Sequence, residues 1–252
     1  MTDLPDPFDR LRAATRARVA LGRAGDALPT ARLLELRAAH AAARDAVHSP
    51  LDVEALTAEI RGLAGGGADG AGSELDREVL VVRSAAADRA EYLQRPDLGR
   101  RLGAGELPAG EYDVAFVVAD GLSPLAVHTH AVPMLREILD RLDGWRVAPI
   151  VVATQARVAL GDAVAAALGA KTVVVLVGER PGMSSTDSLG LYLTYDPKPG
   201  RRDSERNCLS NVRPPHGTGY SEAATVLAML LEESRRLRLS GVKLKADPAL
   251  EA

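Results

Sequence analysis

The sequence predicts an α/β fold: a Rossmann- or flavodoxin-like, mostly parallel sheet with flanking helices, preceded by a small helical N-terminal region. Three observations predict it. Thr172, Val173, Val174, Val175, Leu176 and Val177 form an almost wholly apolar, mostly β-branched run, which fits a strand covered on both faces. Two further apolar runs, over 113–119 and 147–152, precede it. Helix-length segments separate the three runs, and the order strand–helix–strand–helix–strand implies parallel strands joined by right-handed crossovers.

Taken in order, residues 1–63 read as helical. After a turn over 5–8, an Arg-rich helix runs over 9–20 and is broken by the Gly- and Pro-containing segment 22–30. Thr30 is placed to cap a second helix over 31–47, with Leu33, Leu34, Leu36 and Ala39 as its apolar surface. Ser49 is placed to cap a third over 50–63, with Pro50 at its first position. Residues 64–72 are all Gly, Ala and Asp and read as a flexible loop. The expected division is a helical arm and Gly-rich loop over 1–75, then an α/β domain over 76–252.

In that domain a strand is expected over 78–84, a helical turn over 88–93 and a polar segment over 95–102. The strand over 113–119 ends in the turn Asp120-Gly121-Leu122-Ser123-Pro124, followed by a helix over 125–142 in which Pro133 introduces a kink. A strand over 147–152, a loop over 155–158 and a helix over 161–168 lead to the strand at Thr172. A short strand over 189–195, a Pro/Gly loop over 212–219 and a helix over 222–239 capped by Ser221 complete the chain.

Composition narrows the function classes. A chain of 252 residues with a net charge of -3 has no basic footprint for nucleic acid, and 3% aromatics leave few base-stacking platforms. One cysteine excludes an internal disulfide framework and suits a reducing compartment. No apolar run reaches the ~18 residues of a transmembrane helix, and the N-terminus lacks the apolar core of a secretory signal. A cytoplasmic protein is the expectation.

Ligands of open α/β sheets bind outside the carboxyl ends of the strands. Two turns hold that position. Asp120-Gly121-Leu122-Ser123 is either a ligand loop or a tight turn in which Ser123 caps the next helix. Glu179-Arg180-Pro181-Gly182 follows the buried strand, and Glu179 can accept hydrogen bonds from ligand amide or hydroxyl donors while Arg180 shapes the loop. Arg201, Arg202 and Arg206 would make this face locally basic. G-x-G-x-x-G after a strand and a Walker-type G-x-x-x-x-G-K-[ST] are both absent, which removes the main support for classical dinucleotide or nucleotide binding. His128 and His130 are two apart, which on a helix turns them away from each other and makes no zinc pair. Cys208 would be a nucleophile only with a nearby base, for which His216 and His128 are candidates, and a lowered pKa.

A set of short motifs then adds a resemblance. It comprises Gly22-Arg23-Ala24-Gly25, the run from Tyr92 to Leu102 (YLQRPDLGRRL), Asp120-Gly121-Leu122-Ser123 and Arg157-Val158-Ala159 with Gly161-Asp162. It continues with Val177-Gly178-Glu179-Arg180-Pro181-Gly182, Arg206-Asn207-Cys208-Leu209-Ser210-Asn211 and Ser240-Gly241-Val242. In this order the chain resembles the small (light, or β) subunit of ethanolamine ammonia-lyase, the adenosylcobalamin-dependent enzyme of ethanolamine breakdown. The resemblance implies a complex that converts ethanolamine to acetaldehyde and ammonia, with the substrate and its catalytic residues on a large subunit. It implies that the small subunit helps enclose the cobalamin at the interface, in a hexamer of large–small pairs.

Cobalamin contacts carry over onto three matching positions. Val158 would offer apolar or backbone contact, Glu179 would accept from donors on the corrin amides or nucleotide tail, and Cys208, in the RNCxSN turn, would contact the ligand as a small soft group or through its backbone. No catalytic residue and no metal ligand are implied on this chain. D-x-H-x-x-G is absent, so a cobalt-ligating histidine of that type is not expected. Some family members carry a long N-terminal extension associated with bacterial microcompartments. This sequence starts close to the shared region, so a free cytoplasmic enzyme stands beside a microcompartment one. Two other readings remain: a stand-alone α/β enzyme with Cys208 as nucleophile, and an assembly subunit that binds no cofactor.

Overall fold

The computed structural model describes residues 8–15, 17–65 and 79–245. Residues 5–7 of the expected turn, 66–72 of the Gly-rich loop and Glu78 of the expected first strand lie outside them. The architecture is α/β: one six-stranded sheet in the order β1-β3-β2-β4-β5-β6 with helices on both faces. The strands are β1 (Val79–Arg83), β2 (Tyr112–Ala119), β3 (Ile150–Thr154), β4 (Ala170–Gly178), β5 (Leu189–Tyr195) and β6 (Asn207–Val212). Strands β1, β3, β2 and β4 pair in parallel, while β5 and β6 add an antiparallel edge.

The helices are α1 (Asp9–Ala14), α2 (Thr30–His48), α3 (Val53–Arg61), α4 (Arg89–Gln94), α5 (Pro124–Leu139), α6 (Leu160–Leu168) and α7 (Tyr220–Leu237). Strand alternation sorts the core into two layers. Val114, Phe116, Val118, Val174 and Leu176 face α5, α7 and the Leu56 and Ile60 side chains of α3. Ala115, Val117, Val173, Val175 and Val177 face α6. The helices that follow β2 and β3, α5 and α6, thus lie on opposite faces of adjacent strands. Open α/β sheets place ligands outside the carboxyl edge at such a reversal.

Local chemistry shifts several expected boundaries. Helix α1 stops at Ala14, and the backbone at Thr15 is extended. Thr30 is the first residue of α2 rather than its cap. Ser49 instead closes α2 from its far end, its hydroxyl donating to the Asp45 carbonyl, while the Asp52 carboxylate accepts from Ala55 N and caps α3. Residues 147–149 stay out of β3 because Val147 makes only an isolated bridge to Val114 and Pro149 has no N–H to donate. Helix α5 runs through Pro133, and Gly219, not Ser221, precedes α7.

The edge strand β6 is closed in two ways. At its start, Asn207 clamps the chain over 241–244: its Oδ1 accepts from Gly241 N, and its Nδ2 donates to the carbonyls of Gly241 and Leu244. At its end the register slips by one residue against β5, and Asn211 adopts a left-handed backbone at φ 60. This is a β-bulge, which bends and twists the strand that carries it.

Candidate functional site

The turn after β2 is a clasp. Asp120 is buried, and its carboxylate accepts from Gln155 N (2.8 Å) and Ala156 N (2.9 Å) at the end of β3. Arg89 completes it, at 3.3 Å from Oδ2 and 2.9 Å from the Gly121 carbonyl. Burial pushes the Asp120 carboxyl up from its usual range, and the backbone donors and Arg89 pull against it. Ser123 does cap α5, accepting from Ala126 N, and its hydroxyl donates to the Thr186 carbonyl. The turn therefore locks two loops together, and one of them carries Arg157 and Val158.

The face that carries α6 holds the other two expected site residues. Val175 pairs with Tyr192 and Val177 with Gly190, so Tyr192 and Gly190 share this face. Tyr192 in turn pairs with Cys208. Helix α6 lies over β2 and β4, and beyond it Cys208 and Ser210 on β6 are exposed. Residues 207–212 are a strand rather than the expected turn. Its bulge aims Ser210 at β4, where the Ser210 hydroxyl donates to Glu179 Oε1. Ser188 Oγ and Asn211 N donate to Oε2.

Glu179 thus holds three internal donors. A carboxylate has about four acceptor positions, so one direction stays open. Gly190 makes room for this arrangement: a Cβ there would sit 2.9 Å from Glu179 Oε1 and 3.1 Å from the Tyr192 ring. Val158 is half-buried and, like Tyr192, packs against the α6-side core layer. Glu179 and Cys208 therefore flank Tyr192, and Val158 lies against the same core layer. Tyr192, Gly190, Ser188 and Ser210 were missed in the sequence. The alternation of β5 was a usable signal for Tyr192 and Gly190, but only once β5 is paired with β4.

The chemistry of Cys208 is that of a neutral thiol. Desolvation around its sulfur raises its pKa, the Glu179 charge adds to this, and a hydrogen bond from the Tyr192 hydroxyl works the other way. Tyr192 is itself pushed up, first by desolvation. His128 does not serve as a base, because its Nε2 accepts from Asp52 N at 2.9 Å. His130 is buried with Nδ1 2.7 Å from the Tyr220 hydroxyl. We expect iodoacetamide to alkylate Cys208 more slowly at pH 7.5 than a free thiol, with the rate still climbing above pH 9. A pH–rate midpoint below that of free cysteine would refute this.

The basic face expected from Arg201, Arg202 and Arg206 is mostly neutralised. Arg206 is buried in a bidentate pair with Asp162 of α6, at 2.7 and 2.6 Å, and also donates to Thr194 Oγ1 and the Arg201 carbonyl. Arg201 pairs with Glu205 and Asp196. Arg202 remains exposed. Among the described residues no group of three metal-ligating side chains forms, and no helix is long and apolar enough to cross a membrane.

Comparison with known proteins gives one answer throughout. The family model described as "Ethanolamine ammonia-lyase light chain" matches residues 5–245. The "Ethanolamine ammonia-lyase small subunit" of Rhodococcus erythropolis is 48% identical over 249 residues, covering 98% of this chain and 93% of that protein. The proteins of that name from Ralstonia nicotianae and Xanthomonas campestris are 51% and 50% identical, covering 98% and 96% of this chain and 92% and 88% of their own lengths. With the motifs spread along the chain and a family model spanning almost all of it, the chain belongs to the ethanolamine ammonia-lyase light chain family.

Proposed function

We propose that this chain is the small subunit of an adenosylcobalamin-dependent ethanolamine ammonia-lyase, and that its α6-side face forms part of the cobalamin enclosure. The complex would convert ethanolamine to acetaldehyde and ammonia, with the catalytic residues on a large subunit and the pairs gathered into a hexamer. The observation that carries the reading is that face itself. On the face where Val158 and Tyr192 both pack on the α6-side layer, one carboxylate, Glu179, is held in place by three donors with an acceptor direction to spare.

These residues fit a corrin. Its rim carries amide N–H donors, which a fixed carboxylate accepts without reorganising. Gly190 keeps the strand beneath Glu179 clear. Cys208, a neutral thiol, adds a small polarisable surface and no charge. When bound, adenosylcobalamin supplies the radical chemistry. This chain's residues position the cofactor and exclude water from one side. The cytoplasm is the compartment that this reading needs, with or without a microcompartment around it.

The test is ethanolamine deamination by this chain co-expressed with its large subunit. Acetaldehyde that requires adenosylcobalamin is expected. Glu179→Ala should raise the cobalamin concentration for half-saturation about tenfold, the scale of one charge-assisted hydrogen bond. An unchanged half-saturation would reduce Glu179 to a brace for β6. Cys208→Ala should keep most of the activity. Its complete loss would favour thiol catalysis instead.

A further inference from the structure

Arg157 precedes Val158 in the turn between β3 and α6, and its guanidinium stands 4.5 Å from the centre of the Tyr92 ring. That seat is built. Tyr92 is fully buried, with its hydroxyl donating to the Ala156 carbonyl. Arg157 N donates to the Gly99 carbonyl at 2.8 Å. A Cβ on Gly99 would lie 2.7 Å from the Tyr92 ring and 3.0 Å from Arg157 Cγ, so only glycine leaves room for the stack. Gln155, two residues earlier, is held at φ 54, a conformation that side chains disfavour. The Asp120 clasp holds it there through its backbone N–H.

All this structure aims a cation that has no acid of its own. Arg89, Arg201, Arg206 and Arg213 are each matched to a carboxylate. Arg157 makes no ion pair with any described residue, and its Nε is buried without a partner. Arg89 sits on the same tyrosine ring, 4.9 Å from its centre, and its own pKa is lowered, chiefly by burial and in smaller part by the Arg157 charge. A cleft of about 690 Å³ opens from Ala159, one residue past Val158; Arg100, Arg101, Arg201 and Arg202 line it with one acid, Asp203. Arg100 and Arg202 make no ion pair with a described residue, so a positive excess remains there beside Arg157.

We propose that Arg157 is an oxyanion-binding residue, and that the anion it takes is the phosphodiester of the cobalamin nucleotide tail. The assignment rests on the cofactor reading above. The planar guanidinium fork matches a phosphate with two parallel hydrogen bonds. The corrin rim of cobalamin carries neutral amides, and its one anionic substituent is that phosphodiester. Arg157 lies two residues before Ala159 at the cleft's edge, so the tail would run from Arg157 toward the cleft while the corrin meets Glu179.

Optical titration of the assembled large–small complex tests this with two ligands. Cyanocobalamin carries the nucleotide tail, and dicyanocobinamide lacks it. Arg157→Met keeps the packing on Tyr92 and removes the charge. It should weaken cyanocobalamin about ten- to hundredfold and leave dicyanocobinamide within about twofold. Arg157→Lys should recover part of the loss. Unchanged cyanocobalamin affinity, or equal loss for both ligands, overturns the assignment. So does a variant complex that falls apart without ligand, which would make the anion a carboxylate of the large subunit. A wild-type complex that takes up neither ligand overturns the cofactor reading itself.

Discussion

Arg206→Ala is expected to lower the stability of the fold by about 3–5 kcal/mol, the usual result of removing one partner of a buried ion pair. Both side chains of the Arg206–Asp162 pair are nearly inaccessible, at 2% and 1% exposure. The substitution would strand the Asp162 carboxylate between α6 and β6 with no cation in reach. It would also remove the donor to Thr194 Oγ1 and the tie to the Arg201 carbonyl. Urea unfolding of wild type and variant reads the difference. The double variant Asp162→Leu with Arg206→Met should recover a large share, because it buries no unpaired charge. A midpoint for Arg206→Ala within error of wild type would show that the pair contributes little. The pair joins α6 to β6, so its loss should also loosen the face between them.

The second large effect is at Asp120. Asp120→Ala leaves Gln155 N and Ala156 N without their acceptor and Arg89 without its acid. Two orphaned donors and a half-buried unpaired cation together predict a loss of about 3 kcal/mol or more. The loss should be local as well as global. Amide exchange over 154–158 should speed up before exchange in β4 does, because the clasp holds the backbone N–H groups of Gln155 and Ala156 at the left-handed turn. Uniform acceleration across the sheet would argue that Asp120 is an ordinary core contact. On the proposed reading, cobalamin affinity should fall too, since Val158 and Arg157 ride on that turn.

The parts of the molecule legible in the sequence were those written locally. The β-branched run of β4 and the alternation of apolar segments with helices led to an α/β sheet, and Leu189–Tyr195 was read to the residue. Strand β6 was not legible: Asn207, Ser210 and Asn211 are poor strand formers, and only pairing with β5 makes them one. Arg206 was read as surface charge because its acid lies 44 residues earlier. No pattern along the chain marks a match at that distance. Glu179 was identifiable by its place at the end of β4. Its three donors come from Ser188, Ser210 and Asn211, which only the folded sheet assembles. Arg157 appeared only as part of a motif. Its lack of an acid became visible once Arg89, Arg201, Arg206 and Arg213 had each been matched to one.

The closed edge at β6 has a consequence for life at high concentration. A sheet that ends in a straight strand with free N–H and C=O groups is a template on which other chains can add, and that route leads to aggregates. Here the Asn207 clamp occupies one half of the strand and the bulge at Asn211 twists the other. The stretch of β6 between the clamp and the bulge is only a few residues long. Asn207→Ala should therefore aggregate sooner than it unfolds, as light scattering that rises on mild heating below the unfolding midpoint.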